Sequence, residues 1–214
     1  MRGAAQFGVL LVLLATHGLA RAQADVGLVN LVAGDVSFVP QAGPPGKVKA
    51  FMKVRDGDRF ELPAGAQVRV MYFEGSRQER WQGPASFRAT ALKGTPIAGK
   101  PAEVTALPPN VPQRMARVPE LMQNARFGGV QVRGGASSAR APDEALKDAR
   151  ATYEKLRKDL PKDDITPELY LCSALNDYRL YEEMAPLVKE MLRKQPGSED
   201  VKALDAWLTQ RLGR

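Results

Sequence analysis

The tightest constraint on this chain is a row of four glycines. Gly57, Gly65, Gly75 and Gly83 stand 8, 10 and 8 residues apart, within the dipeptides Asp56-Gly57, Ala64-Gly65, Gly75-Ser76 and Gly83-Pro84. A chain cut at this interval has room only for short strands, the pattern of an all-β sandwich, roll or barrel. Glycine suits such corners because, lacking a Cβ, it takes positive φ freely. Gly57, Asp58, Gly75, Gly83 and Pro84 are the expected turn residues, with Gly75 at positive φ between strands over 67–74 and 77–82.

Between the turns, side chains alternate. Over 67–74, Val68, Val70 and Tyr72 share one face, and Arg69, Met71 and Phe73 share the other. Successive side chains of a strand point to opposite faces, so the first set can enter a core. Met71 and Phe73 make the second face less polar than usual, so this strand is expected to be covered on both sides. Over 85–91, Ala85, Phe87, Ala89 and Ala91 alternate with Ser86, Arg88 and Thr90. A period near 3.6, the mark of a helix, is missing from both segments. Upstream, 25–40 reads as two strands meeting at Gly34-Asp35, and 41–46, with two prolines and two glycines, as a loop. One further strand is expected at 103–106.

The order of these pieces carries a resemblance. A strand into a Gly-Asp turn (Val54-Arg55-Asp56-Gly57-Asp58), a short strand, a small-residue turn, an apolar strand, Gly75-Ser76, and then Gly83-Pro84-Ala85-Ser86-Phe87 resemble the FecR-type periplasmic domain over residues 26–91. The resemblance implies protein-binding or signalling work in the envelope of a Gram-negative bacterium.

Residues 1–24 read as a Sec-type signal peptide: Arg2, an apolar core over 7–15, and Ala22-Gln23-Ala24 as an A-x-A cleavage motif, with Ala20-Arg21-Ala22 as the neighbouring choice. The apolar run is shorter than the roughly 20 residues that span a bilayer. No later stretch is long enough either, so a soluble periplasmic protein is expected, with no integral membrane segment after cleavage. FecR regulators place an anti-sigma region and a membrane helix before the periplasmic domain. Here six residues precede the apolar core, so no contact with a cytoplasmic sigma factor is expected.

Composition changes at 108. Pro108, Pro109, Pro112 and Pro119 punctuate a basic stretch, read as a linker over 108–142 with a short helix at 118–127 and a short strand at 130–133 that could rejoin the sheet. From 143 the period becomes helical. Leu146, Ala149, Tyr153, Leu156 and Leu160 form one stripe. A second helix is expected from Pro167, with Thr166 as N-cap, a third over 181–194 containing Pro186, and a fourth from Ser198. Pro161 and Pro196, 35 residues apart, each close a helix. Residues 167–196 resemble one tetratricopeptide repeat, in which Leu171, Cys172, Val188 and Leu192 take packing positions. Arg179 stands where such repeats usually have glycine, and Met184 and Met191 where they have alanine. The same helices also fit a plain two-pair bundle. An apolar stripe with only one full repeat leaves an inner face open to a partner, and the linker suggests that 143–214 is a separable unit.

The expected fold class is therefore α+β in two domains: an N-terminal sandwich or roll of short antiparallel strands over 25–107, and helical hairpins over 143–214. Little catalytic chemistry fits the sequence. The single histidine, His17, lies in the signal segment, and Cys172 is the only cysteine. Zinc sites and Ser-His-Asp or Cys-His machinery are thereby left without ligands or bases. Cys172 reads as a buried small residue and Trp81 and Trp207 as core. Asp56 and Asp58 read as turn carboxylates rather than a calcium or acid–base pair. No catalytic, cofactor-binding or metal residue is assigned, and no cofactor is expected.

Loss of Arg2 and Arg21 leaves 29 basic residues against 24 acidic. The excess is uneven: 25–142 hold 16 basic and 9 acidic residues, and Lys47, Lys49, Lys53, Arg55 and Arg59 crowd one strand and turn. Outside the cytoplasm nucleic acid is not an expected target. The favoured expectation is a non-enzymatic interaction or scaffold module whose partner is another envelope protein. The alternative is a module that holds peptidoglycan or lipopolysaccharide on its basic face. A carboxylate hydrolase is least favoured. Mass spectrometry of protein recovered from the periplasm should find Asp25 at the N-terminus, or Gln23 if the earlier site is cut. An intact Met1 on that protein would contradict the signal peptide.

Overall fold

The computed structural model of the protein describes residues 24–127 and 142–213. His17, Ala22, the strand expected at 130–133 and the segment 134–141 lie outside the described residues. The fold is α+β: two antiparallel sheets of short strands, then a helical region.

Ten strands follow in order: β1 Asp25–Ala33, β2 Ser37–Val39, β3 Gly46–Lys47, β4 Lys53–Arg55, β5 Arg59–Leu62, β6 Gln67–Tyr72, β7 Arg77–Gln82, β8 Ala85–Ala89, β9 Gly94–Gly99 and β10 Glu103–Ala106. One sheet has the order β10-β7-β6-β1-β4, the other β3-β2-β5-β8-β9. The chain therefore crosses between sheets at each of the glycine corners before β5 and β8. Their inner faces meet over Val29, Val54, Phe60, Val68, Val70, Tyr72, Trp81 and Phe87. Phe60 stacks on Phe87 at 4.8 Å, and Phe87 on Trp81 of the opposite sheet at 4.2 Å. Each such pair adds about 0.5–1.5 kcal/mol beyond the area it buries.

The helices are α1 Asn110–Met115, α2 Val118–Phe127, α3 Pro142–Asp159, α4 Thr166–Asp177, α5 Tyr181–Lys194 and α6 Glu199–Arg211. α3 packs on α4, α4 on α5 and α5 on α6, while α1 lies against α4 and α2 against α6. Within the stretch read as a linker, residues 110–127 thus form two helices with buried faces: Val111, Met115, Val118, Leu121 and Met122 enter the core. This core is continuous with the β region. Leu28, Phe51 and Met71 belong to it, and Phe73 packs against it. β6 is accordingly buried on both faces, Val68, Val70 and Tyr72 inward to the sandwich and Met71 outward to the helices.

Several expectations are corrected. The inner face of the helices is not open: Met184 and Met191 are fully buried, on a helix, α5, that packs between α4 and α6. Thr166 is the first residue of α4 rather than its cap; Ile165 takes the cap position, and Asp164 Oδ1 accepts the Thr166 N–H at 2.8 Å. Ser198 does cap α6, accepting from the Val201 N–H. α5 runs from Tyr181 with Pro186 inside it. Gly75 does not hold positive φ; Ser76 does, at 44°. Glycine is needed at 75 for space, since a Cβ there would lie 2.1 Å from the Leu92 carbonyl oxygen.

Arg179 takes the left-handed conformation, φ 57°, at the end of α4. The Leu180 N–H bonds the Leu175 carbonyl and the Arg179 N–H the Asn176 carbonyl, both at 3.1 Å. This is the Schellman closure that glycine normally serves. An L-residue pays about 1–2 kcal/mol to stand there. Arg179→Gly should raise stability by about 1 kcal/mol in urea unfolding. Gly75→Ala should lower it by roughly 1–3 kcal/mol, because the Leu92 main chain must move. A neutral Gly75→Ala would contradict the close approach.

Candidate functional site

The outer face of the first sheet carries three polar side chains in a row: Asn30 on β1, Arg69 on β6 and Gln78 on β7. All three are buried. The register of β1 against β6 shifts between Val29 and Leu31, which leaves Asn30 as the extra residue of a bulge and turns its amide toward the helices. The α3–α4 loop brings Asp163, Asp164 and Thr166 to this row. Asp164 Oδ2 accepts from Gln78 Nε2 at 2.6 Å and stands 3.2 Å from Arg69 Nη1. Asn30 Nδ2 donates to Gln78 Oε1 at 2.6 Å and to Thr166 Oγ1 at 2.7 Å. Thr166 Oγ1 donates to Gln78 Oε1 at 3.1 Å. Asp163, at the surface, lies 3.5 Å from Arg69 Nη2.

A second buried charge group adjoins it. Glu168 of α4 pairs with Lys194 at 2.8 Å and with Arg157 at 3.3 Å. Arg157 Nη2 and Lys194 Nζ also donate to the Asp164 carbonyl oxygen. The two groups thus share one residue. Enclosed and charge-compensated, they hold elements together and offer no reacting group to a substrate. A buried pair broken on one side leaves an uncompensated charge, which costs about 3–5 kcal/mol.

The expected turn residues stand at separate corners and form no common site. Gly57, φ +84°, and Asp58 join β4 to β5. Asp58 is buried; its Oδ2 accepts the Arg55 N–H at 2.9 Å, and its carbonyl oxygen accepts the Ala89 N–H at 2.8 Å. Gly75 lies between β6 and β7. Gly83-Pro84, a cis peptide, lies between β7 and β8, where a Cβ on Gly83 would fall 1.8 Å from the Pro63 carbonyl oxygen. Ala24 precedes β1, exposed.

Glu79 is the other buried carboxylate of the sandwich. It accepts from Trp81 Nε1 at 3.2 Å and the Gly94 N–H at 3.0 Å, and pairs with Arg77 at 3.0 Å. Burial pushes its pKa above the ordinary range despite those partners. Cys172 is fully buried, and burial holds its thiol protonated. Among the described residues no group of three or more His, Cys, Asp or Glu side chains could hold a metal ion.

The basic cluster is largely paired. Lys47 meets Asp35 at 2.7 Å, Lys53 and Arg55 meet Asp25 at 2.6 and 3.7 Å, and Arg59 meets Glu61 at 3.9 Å. Exposed large apolar side chains include Leu92, Ile97 and Val104, 55%, 44% and 51% exposed. Ile97 lies on β9 and Val104 on β10, the terminal strands of their sheets. This flank is not marked in the sequence, because β9, with Pro96 and three small residues, lacks an alternating pattern. Among the described residues no helix is long and apolar enough to cross a membrane.

No family model, curated protein or solved structure matches the chain.

Asp164→Ala and Arg69→Met should each lower stability by about 3 kcal/mol or more in denaturant unfolding. The double variant should cost clearly less than the sum of the two. Strict additivity would contradict the pairing.

Proposed function

We propose that this chain is an exported, non-enzymatic interaction module of the bacterial periplasm, a FecR-like sandwich whose helices brace it and whose partner is another envelope protein. The observation that carries this reading is the β9–β10 flank. Two open strand edges lie there beside Leu92, Ile97 and Val104. An unpaired edge offers main-chain donors and acceptors to an incoming strand, and exposed apolar residues add area to bury. The tetratricopeptide-like helices contribute support rather than an open groove, since their apolar stripe is already covered.

The second reading, binding of peptidoglycan or lipopolysaccharide on the basic face, has less behind it. Four of the five clustered basic side chains already meet a carboxylate on that face.

The test places a photo-crosslinking residue at Ile97 in cells that export the protein. A discrete protein adduct is expected, lost when Leu92 and Val104 are changed to lysine. Those exposed substitutions should move stability by no more than about 0.5 kcal/mol. Absence of an adduct at Ile97, together with retention of the purified protein on sacculi, would favour the polymer reading instead.

A further inference from the structure

Four strands end the two sheets: β10 and β4 in one, β3 and β9 in the other. A terminal strand turns main-chain N–H and C=O groups outward, and folded proteins usually cover or spoil such edges. β3 is two residues long and carries an exposed lysine, Lys47. On β4 the Arg55 N–H donates to Asp58 Oδ2 at 2.9 Å, and the Arg55 carbonyl accepts the Asp58 N–H at 3.2 Å. The space beside β4 is a cleft of about 400 Å³, bordered by the β2–β3 loop and α2 and lined by Phe38, Pro40, Met52 and Pro119. On β9 the Thr90 N–H bonds the Lys93 carbonyl. Antiparallel alternation then gives Thr95 to β8 and turns Gly94 and Pro96 away from it. The Gly94 N–H is already taken by Glu79 Oε2 at 3.0 Å, and Pro96 has no N–H to offer.

β10 differs. The Leu107 N–H donates to the Ser76 carbonyl at 2.8 Å. In the register of β10 on β7, the same alternation bonds Thr105 and Glu103 to β7 and points the N–H and C=O groups of Val104 and Ala106 outward. β7 agrees. The Gly83 N–H bonds the Ala66 carbonyl, so Trp81, Glu79 and Arg77 bond to β6, and Gln78 and Arg80 are left for β10. Residues opposite one another across a ladder share a face. Val104 therefore stands on the face of Glu79, whose carboxylate reaches β9, and Glu103 stands on the other, its side chain 70% exposed.

We propose that β10 receives an extended segment of the partner protein as a sixth strand of its sheet, bonded through the main chain of Val104 and Ala106. The segment carries apolar side chains on the Val104 face and basic or polar ones on the Glu103 face, since opposite charges across a ladder attract. At the Ala106 end its lane runs toward Leu92, whose carbonyl lies against Gly75, next to the Ser76 that Leu107 bonds. A second copy of this chain fits less well. β10 against β10 engages four residues a side, where a stable interface takes roughly 20–30. The inference rests on the interaction-module reading and names the edge and the chemistry of the segment it takes.

Val104→Pro tests it, because it removes an outward N–H, breaks no bond to β7, and proline is tolerated on an edge strand. In cells carrying the crosslinking residue at Ile97, Val104→Pro should abolish the adduct and Val104→Thr should keep it. In vitro, the full-length mature protein is titrated with acetyl-Lys-Val-Lys-Val-Lys-Val-amide and followed by amide NMR. The Val104 and Ala106 amides should shift and exchange more slowly, and the Gly94 amide should not. The same peptide N-methylated at its valines, the residues that would face Val104 and Ala106, should bind at least about tenfold more weakly, having lost two main-chain hydrogen bonds. If Val104→Pro fails to fold, the two peptides on the wild-type protein decide alone. Absence of any adduct at Ile97 in the wild type strikes the interaction-module reading, and this inference with it. An adduct that survives Val104→Pro leaves that reading standing and overturns this one. So would an adduct between two copies of this chain, protection of β9 in place of β10, equal binding of the two peptides, or no binding of either at millimolar concentration.

Discussion

The ion pair between Arg69 and Asp164 is the contact on which the rest of the arrangement depends. Both side chains are withdrawn from water, and desolvating two charges costs several kcal/mol before any attraction is counted. The pair is braced at the Asp164 end by Gln78 and the Thr166 N–H, while Asp163 lies beside Arg69, whose Nη2 makes no hydrogen bond. Apolar contact of Leu28 and Met71 with the helices is non-directional and would allow the helical layer to slide. The polar row admits one register only. The same loop starts α4 and, through the Asp164 carbonyl, ties down Arg157 and Lys194. One short loop therefore sets the position of a sheet and of three helices.

That arrangement explains which parts of the fold could be read from sequence. Local signals gave the two faces of β6, the bounds of α2 and α5, and the start of a helix at Ser198. The seam is a meeting of distant residues and has no such signal. Asn30, Arg69 and Gln78 look like the solvent face of ordinary strands, and Asp163-Asp164 looks like a helix stop. α1 was hidden by Pro112, although proline in a first turn sacrifices no intrahelical hydrogen bond. Gly75 shows a different limit. Its place in a turn was legible, but the reason for glycine is the Leu92 carbonyl seventeen residues away, not its own φ. Burial of Met184 and Met191 likewise draws on α6, which packs against α5 from outside the repeat-like stretch.

The candidate surfaces were still less legible. Asp58 stood out only as a turn carboxylate, and it is one: Oδ2 braces the β4–β5 corner. The exposed flank at Leu92, Ile97 and Val104 depends on β9 and β10 ending their respective sheets, which is a property of topology. The helices occupy the broad outer face of one sheet, which leaves the charged outer face of the other and the two edges: the β9–β10 side with bare apolar residues, the β3–β4 side with the cleft.

Native-state hydrogen exchange across a series of low urea concentrations tests most directly whether sheet and helices form one unit. The slowest amides of β6 and β7 and those of α4 and α5 should converge on a single opening free energy with the same urea dependence, because the buried seam opens only in global unfolding. Convergence of the helices on a distinctly lower opening free energy, with the sheet still protected, would contradict the account and make the helical region an independent domain resting on the sandwich.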